Sequence, residues 1–404
     1  MSQAEAKGTS LPAGAIVLAG CLIALLSFGP RSVMGAFQLP VFSTRPWGQD
    51  SFFIALASQN LLWGIGQPFA GALADRYGSK YVLIGGALLY AAGLALMAVA
   101  QTGWEFELGA GVLIGFGLSG ASFNLVLGSF AKLLPPRRLS YAFGAATAAG
   151  SFGQFLFSPL AGALIDRFGW EGAALAFAAL ILPIVPLSLA LASPPVAYAP
   201  QEGQGAIFRR ALGHRSYVLL VLGFFTCGFQ LAFITVHFQR YIVESGLSPV
   251  VGYWAIALVG VFNIFGSLFS GWLGMWVPRR YILSVIYLSR AVATVVFIAL
   301  PASPTSALVF GAVTGLLWLS TVPPTSSLIG QMFGAGNLSM LYGFAFFSHQ
   351  VGGFLGVLLG GMFREATGSY LPVWLLSIAL GVMSALINLP IVEAPAQPVP
   401  QPAE

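Results

Sequence analysis

Two arginines lie within long apolar stretches of the sequence. Arg31 occurs in the stretch 13–41, and Arg290 stands near the middle of 281–301. If these stretches cross a lipid bilayer, each charge costs from about 3 to more than 10 kcal/mol by different scales and needs a partner. No Asp or Glu occurs in the middle of any such stretch. Two embedded cations without an embedded anion predict an anionic ligand, because a guanidinium holds a carboxylate through two parallel hydrogen bonds.

Each of these arginines also has a structural interpretation. Arg31 either contacts the ligand or a gate, or extends its guanidinium to the outer membrane interface. Arg290 either adds positive potential to the ligand site or donates hydrogen bonds to carbonyl groups of a neighbouring helix. The sequence alone leaves both alternatives open.

Other polar residues in the apolar stretches complete a candidate cavity. His349 is the only residue near mid-membrane that commonly exchanges a proton near neutral pH, and it either carries a coupled proton or is a neutral side chain bonded to an adjacent helix. Pro323-Pro324 frees backbone carbonyl groups, which are tolerated where they face protein or a wet cavity. The uncharged candidates, each of which could equally join neighbouring helices, are Asn124, Gln154, Gln230, Asn263 and Gln350.

The composition places these residues in a membrane protein. Of 404 residues, 57% are hydrophobic and 7% are charged, against roughly a quarter charged in a soluble chain. The net charge of +5 comes from thinly spread basic residues, so we expect no nucleic-acid partner. Because no metal-ligand spacing, phosphate loop or acid pair occurs, we expect neither a cofactor nor an enzyme.

The apolar stretches divide into two sets of six. We predict an all-α integral membrane fold with an N-terminal six-helix bundle over 1–192, a cytoplasmic linker over 193–215, and a C-terminal six-helix bundle with a short tail over 216–404. The twelve predicted spans are 13–41, 52–73, 81–100, 106–133, 139–163, 171–192, 216–242, 250–274, 281–301, 305–332, 341–363 and 370–391.

The basic residues predict the orientation of these spans. Eleven of the 17 Lys and Arg residues fall on the side that holds both chain ends, and four fall on the other side. Because cytoplasmic loops carry an excess of Lys and Arg, we expect both termini in the cytoplasm, in a cell (inner) membrane. We also expect the protein to be a monomer.

An internal repeat relates the two sets of spans. Residues of the second and fourth spans recur at an offset of 200, and those of the fifth recur at 199. Such a repeat is typical of transporters whose ligand site lies between two related halves near mid-membrane. The matched pairs include Gly71 with Gly271, Leu73 with Leu273, Gly111 with Gly311, Gly115 with Gly315, and Gly153 with Gly352.

The loop from Gly71 to Lys80, which reads GALADRYGSK, resembles the signature loop of the major facilitator superfamily. The resemblance implies a conformational latch on the cytoplasmic side. Asp75 would cap the next helix and pair with Arg76 or Lys80. The second copy has Met275 in place of Asp75, so we expect the latch to differ between the halves.

A finer resemblance is to the monocarboxylate and oxalate/formate porter branch of that superfamily. A basic residue follows the first-span proline in that branch, and Arg31 after Pro30 matches it. The acid and base that many members carry in the eighth span are replaced here by Asn263 and Ser267. The other matching residues are Phe123-Asn124, Lys132, Arg137-Arg138, Ala142, Gly144, Ala149-Gly150-Ser151 and Gly153.

Together these features predict a secondary active transporter of small organic anions, either mono- or dicarboxylates. It would work by alternating access, as a proton-coupled symporter or an anion exchanger, so its partners would be the anion, a coupling proton or counter-anion, and the lipid bilayer. Two alternatives remain at this stage: an exporter of larger amphipathic compounds, and a non-transporting membrane receptor or assembly factor.

Overall fold

A computed structural model describes residues 11–193 and 204–396, and within these ranges it describes the backbone but not the side chains of residues 75, 136, 137, 140, 204, 335, 336 and 339. The regular elements of the described ranges are all helices. In the first half, α1 spans Ala13–Thr44, α2 Gly48–Tyr77, α3 Ser79–Val99 and α4 Gly103–Leu133, while α5 and α6 cover 136–168 and 170–191.

The second half repeats this order after a linker helix, Gln204–Gly213, which lies within the predicted linker. Here α7 spans Arg215–Glu244, α8 Pro249–Leu273, α9 Arg279–Ala299, α10 Pro304–Phe333, α11 Ala335–Thr367 and α12 Leu371–Asn388. Two hydrophobic cores accompany the two sets, one formed mainly by α1–α6 and the other by α7–α12.

The prediction of twelve spans is confirmed. By length and composition, ten continuous segments of the described chain could cross a membrane; one of these contains two spans, and one further span is not among the ten. One of them, Tyr141–Leu191, has 51 residues and would be about 75 Å long as a single helix, more than twice the bilayer core. Gly169, with φ 71°, divides it into α5 and α6. The twelfth span is α2, whose 30 residues include Gln59, Asn60 and Gln67 and are therefore less apolar.

The internal repeat packs in the same way in both halves. A Cβ added at Gly111 of α4 would meet Ala55 of α2, and one added at Gly311 of α10 would meet Ala255 of α8. Both partners are thus displaced by the same 200 positions. Small residues let the two backbones approach closely, as is common between membrane helices.

The two halves meet closely at one end of the molecule. We name this end, where Thr44 ends α1 and Glu244 ends α7, the distal face, and the opposite end, where α12 stops at Asn388, the terminal face. Near the distal face, Gly35 of α1 lies against backbone oxygens of α7. There the Arg240 guanidinium also lies 5.2 Å from the ring centre of Phe42 in the other half.

Toward the terminal face the halves separate. In mid-molecule, Asn263 of α8 donates a 2.8 Å hydrogen bond to Ser151 of α5, and Gln350 of α11 packs on Gly64 of α2. Two helical turns nearer the terminal face, Cβ atoms added at Gly144 and Gly343 would meet nothing within 4 Å. The conformation is therefore closed at the distal face and open toward the terminal face.

Two glycines of α11 provide a test of this packing. A Cβ at Gly352 would overlap the Phe225 carbonyl of α7, whereas Gly343 faces open space. We expect Gly352→Ala to destabilise the protein by about 1–3 kcal/mol, because overpacking forces the helices apart. Gly343→Ala is the matched control and should be neutral or slightly stabilising, because alanine favours helix. Thermal unfolding of the purified proteins measures both, and equal melting temperatures would contradict the close α7–α11 contact.

Candidate substrate site

Arg31 lies between the two halves and is 8% exposed. Its Nη2 donates a 2.8 Å hydrogen bond to Oδ1 of Asn60 in α2. Asn60 in turn donates from Nδ2 to the Leu56 carbonyl oxygen at 2.8 Å, which fixes the direction of its Oδ1. The guanidinium carbon also lies 5.0 Å from the ring centre of Trp63, a cation–π contact. The partners of Arg31 here are thus a neutral amide and an aromatic ring.

A small cavity adjoins the Arg31 side chain. Its volume is about 10 Å³, which is roughly the space that one water molecule needs. Both halves contribute to its wall, since it lies where α1 and α2 approach α7. The lining residues are Arg31, Met34, Leu56, Gln59, Asn60, Ala232, Thr235 and Val236.

On the terminal side of Arg31, aromatic and polar residues of α11 face α2. The rings of Trp63 and Phe346 are 5.2 Å apart, and His349 stacks on Phe346 at 5.8 Å. Gln350 is fully buried, and neither its Oε1 nor its Nε2 has a hydrogen-bond partner. His349 packs on Phe224 of α7 at 4.9 Å and lies beside Cys227. Buried polar atoms without partners cost about 1–3 kcal/mol each, so this region favours a polar ligand or water.

Arg290 occupies a different place, inside the second half. Its Nη2 donates to the carbonyl oxygens of Leu317 and Trp318 at 2.5 Å each, and its Nε to that of Leu317 at 3.1 Å. Its Nη1 is 3.3 Å from Oε1 of Gln230. The carbonyls belong to the break in α10 between Pro304–Leu317 and Val322–Phe333. Arg290 therefore stabilises backbone groups that the break has freed.

Asn263 accepts a hydrogen bond from the backbone on the other side of this break. Its Oδ1 accepts a 2.9 Å hydrogen bond from the backbone N–H of Leu319, while its Nδ2 reaches Ser151 of the first half. The Ser320 carbonyl accepts from the Ser270 hydroxyl. Gln230, besides meeting Arg290, donates to the Ser377 carbonyl at 3.0 Å. The hydrogen bonds of Asn263 and Gln230 are thus directed to protein groups.

The remaining predicted residues are spread along the interface and the terminal face. Asn124 is half-buried just after a break in α4, and Gln154 is buried with its Oε1 unpartnered, beside Gly260 of α8. In the predicted latch, a Cβ added at Gly71 would meet nothing within 4 Å. Arg76 and Lys80 lie against the rings of Tyr77 and Tyr81 at 5.2 and 4.6 Å. The side chain of Asp75 lies outside what the structure describes.

The structure separates Arg31 from Arg290. Gln350 lies against Gly64 of α2, in the half that carries Arg31, whereas His349 lies against Phe224 of α7 and beside Cys227, which also interacts with Arg290. The cavity beside Arg290 is lined by Gln230 and Ile234, whereas the Arg31 cavity is lined by Ala232 and Thr235. These residues lie on different faces of α7, so the helix stands between the two arginines. The two embedded cations therefore do not form one site.

Sequence reasoning missed Asn60 and Trp63, which are the immediate neighbours of Arg31. The signal was present in α2, where Asn60, Trp63 and Gln67 recur at helical spacing on one face. Trp63 donates from Nε1 to Oε1 of Gln67 at 3.2 Å, and Gln67 donates to Ser122 of α4 at 3.1 Å. A polar face on an otherwise apolar span indicates that the face is turned to protein or to a cavity.

The fold and this buried site define a membrane transporter with two six-helix halves. A sequence model of the Major Facilitator Superfamily matches residues 16–357. The chain belongs to the Major Facilitator Superfamily. In structure it is similar to a D-xylose-proton symporter, with a TM-score of 0.76 and 16% identity over 94% of this chain and 98% of that one.

Sequence relatives lie in the same superfamily. An uncharacterized MFS-type transporter, YcxA of Bacillus subtilis, is 27% identical over 90% of this chain and 92% of its own length. Monocarboxylate transporter 13 of Bos taurus is 26% identical over 93% and 88%. Monocarboxylate transporter 11 of Homo sapiens is 27% identical over 80% and 70%. The resemblance to monocarboxylate transporters thus extends across most of the chain.

The bonds of Arg290 lead to a stability prediction. We expect Arg290→Gln to destabilise the protein by a few kcal/mol, because charged hydrogen bonds to two buried carbonyls contribute about 1.5–3 kcal/mol each. Arg31→Gln is the matched control and should melt close to the wild type, since its main partner is one neutral amide. Thermal unfolding without added solute distinguishes the two variants. Equal destabilisation by both would show that Arg31 has the same structural role.

Proposed function

We propose that the protein is a secondary active transporter of small organic anions, with mono- or dicarboxylates as the class of passenger. The observation that carries this proposal is the environment of Arg31. A cation lies buried between two helical bundles, and it meets Asn60 and Trp63. Among the side chains that the structure describes, the ion pairs lie near helix ends and none of them includes Arg31. A carboxylate would supply the missing charge.

Three further residues have places in this proposal. Gln350 offers unpartnered amide atoms on the opposite wall, toward the terminal face. His349, which lies beside Cys227 of α7, would carry the coupled proton. Asn60 would orient the guanidinium, and a passenger carboxylate would compete with it for Nη2. Arg290 is left out of the binding role, because its donors are directed to Leu317, Trp318 and Gln230. Asn124 and Gln154 remain candidates for the wall of the path.

Transport would proceed by rocking of the two halves around Arg31. The present conformation is open toward the terminal face, and a passenger would reach Arg31 from that side after Trp63 and Phe346 separate. We propose that both termini lie in the cytoplasm of a cell (inner) membrane, as the basic residues predict, and that the protein acts as a monomer. The named functions of the relatives, monocarboxylate transport and proton symport, are consistent with this proposal.

Counterflow in proteoliposomes tests the proposal. Labelled lactate, formate and oxalate are offered with a neutral solute as control, and Arg31→Gln is compared with Arg167→Gln, which removes an exposed arginine near the distal face. We expect saturable anion exchange that falls at least about tenfold in Arg31→Gln, corresponding to about 1.4 kcal/mol, and persists in Arg167→Gln. Arg31→Lys should retain part of the activity, because it keeps the charge but loses the planar guanidinium that can bind both carboxylate oxygens.

The alternatives predict other outcomes. An exporter of amphipathic compounds would show no anion exchange, and Arg31→Gln would leave transport of its own passengers intact. A receptor or assembly factor would exchange no solute at all. Absence of exchange for all three anions, in a sample that unfolds cooperatively, would rule out the carboxylate proposal for these solutes.

Replacement of His349 tests proton coupling separately. If the imidazole carries the coupled proton, His349→Gln should abolish accumulation of the anion driven by a pH gradient, because the variant cannot bind and release a proton near neutral pH. Counterflow should persist, since exchange of loaded carriers moves no net proton. Accumulation equal to that of the wild type would assign the proton to another group or indicate anion exchange.

A further inference from the structure

A second buried guanidinium faces the first half near the distal face. Arg240 of α7 is 9% exposed, and its Nη1 is buried without a hydrogen-bond partner. Its Nε donates a 2.6 Å hydrogen bond to Oε1 of Glu244, and its guanidinium lies over the ring of Phe42 in the first half. A donor of a charged group is therefore unused at the interface between the halves, where burial makes a missing hydrogen bond costly.

The charge of Arg240 is only partly balanced. The Glu244 carboxylate also accepts hydrogen bonds from Nε and Nη2 of Arg364, at 2.8 and 3.1 Å. Arg364 thus makes a two-point ion pair with the same carboxylate that Arg240 contacts through Nε. Because two guanidiniums share this carboxylate, the cluster of Arg240, Glu244 and Arg364 has a net positive charge. Such a cluster attracts an anion.

Gln38 of α1 adds unpartnered polar atoms beside this cluster. It is fully buried, and neither its Oε1 nor its Nε2 has a hydrogen-bond partner. The hydroxyl of Tyr370 lies near both Gln38 and Arg240, but its proton is already used. Nε2 of His237 lies 2.9 Å from the Val357 carbonyl oxygen, so a neutral ring carries its proton there and accepts the Tyr370 O–H at Nδ1, at 3.2 Å. Of these described side chains, Arg240 and Gln38 keep unused donors.

Arg240 and Gln38 lie on the same two helices that line the Arg31 cavity. Ala232, which lines that cavity, and Arg240 are eight positions apart on α7, and both are turned toward the first half. Arg31 and Gln38 are seven positions apart on α1, which is about two helical turns. Between these levels, Gly35 of α1 lies against backbone oxygens of α7. Arg240 is therefore about 12 Å nearer the distal face than Ala232 along α7.

We propose that Arg240 and Gln38 form a second carboxylate subsite, on the distal side of Arg31. In the present conformation Phe42 covers the guanidinium. When the distal face opens, α1 separates from α7, and a carboxylate binds between Nη1 of Arg240 and the amide of Gln38 as the passenger enters or leaves. This inference rests on the proposed function, because it takes a small organic carboxylate as the passenger.

A cysteine beside the subsite tests its charge. Phe42→Cys, in a chain with Cys21→Ala and Cys227→Ala, places a thiol next to Arg240 and keeps both subsite residues. Its labelling rate is measured with an anionic and a cationic methanethiosulfonate, each divided by the rate with a free thiol in solution. We expect the anionic reagent to react about fivefold faster on this scale, because the guanidinium attracts it. Arg240→Gln should remove this preference, whereas Arg240→Lys and Arg167→Gln should keep it.

Protection of the same cysteine tests binding. Lactate, formate or oxalate should slow labelling by the anionic reagent more than sodium chloride of equal ionic strength does, because a bound carboxylate neutralises Arg240. Gln38→Leu should raise the concentration for half-protection by about fivefold and leave the reagent preference intact, since it removes a hydrogen-bond donor but no charge. Protection should persist in Arg31→Gln, because the two subsites bind the anion separately.

The ratio of the two rates is the readout, because misfolding changes the access of both reagents alike. Equal rates for the two reagents, a preference that persists in Arg240→Gln, or protection that disappears in Arg31→Gln would each overturn the subsite. Counterflow of the same anions is measured in parallel. Exchange without protection overturns the subsite alone, whereas absence of exchange for all three anions overturns the proposed function and this inference with it.

Discussion

A polar group inside a bilayer must find its partner within the protein, because the hydrocarbon core offers neither donors nor acceptors. This constraint distinguishes the roles of the two arginines that the sequence places in the membrane. The guanidinium of Arg290 donates to the carbonyl oxygens of Leu317 and Trp318, so it stabilises the break in α10. Arg31 meets one neutral amide and one indole ring. Among the side chains that the structure describes, no ion pair includes Arg31, which is why we propose that it binds the passenger.

The repeat builds two similar halves whose chemistry has diverged. The glycine contacts of α4 on α2 and of α10 on α8 are equivalent, since close approach of two backbones needs a small residue in either half. The charged groups differ: Met275 stands where the first half has Asp75, in the last turn of α2, and the Arg279–Glu393 pair stands where the first half has two serines. Packing is thus retained in both copies, whereas the polar contacts at the terminal face are specific to each copy.

The candidate site could be predicted only in part. Arg31, His349 and Gln350 could be proposed from the sequence, because charge or hydrogen-bonding capacity in an apolar stretch is costly and visible there. Asn60 and Trp63 were not predicted, although they lie on one face of α2, because neither residue is unusual in a membrane helix by itself. Gln230 and Asn263 look equally polar in the sequence, yet their hydrogen bonds are directed to Arg290, Ser377, Ser151 and Leu319.

The sequence by itself determined the membrane class, the twelve spans, the half-length repeat and the superfamily. The membrane class and the spans follow from local composition, since a span of about 20 apolar residues has few alternatives to a membrane helix. The superfamily follows from the resemblance of the Gly71–Lys80 segment to its signature loop. Only the tertiary structure decided which polar residues meet. Arg31 and Asn60 are 29 positions apart and Arg280 and Glu393 are 113 apart, and such pairs depend on how helices rotate and tilt against each other. Spacing along the chain carries no information about that rotation until the packing of neighbouring helices fixes it.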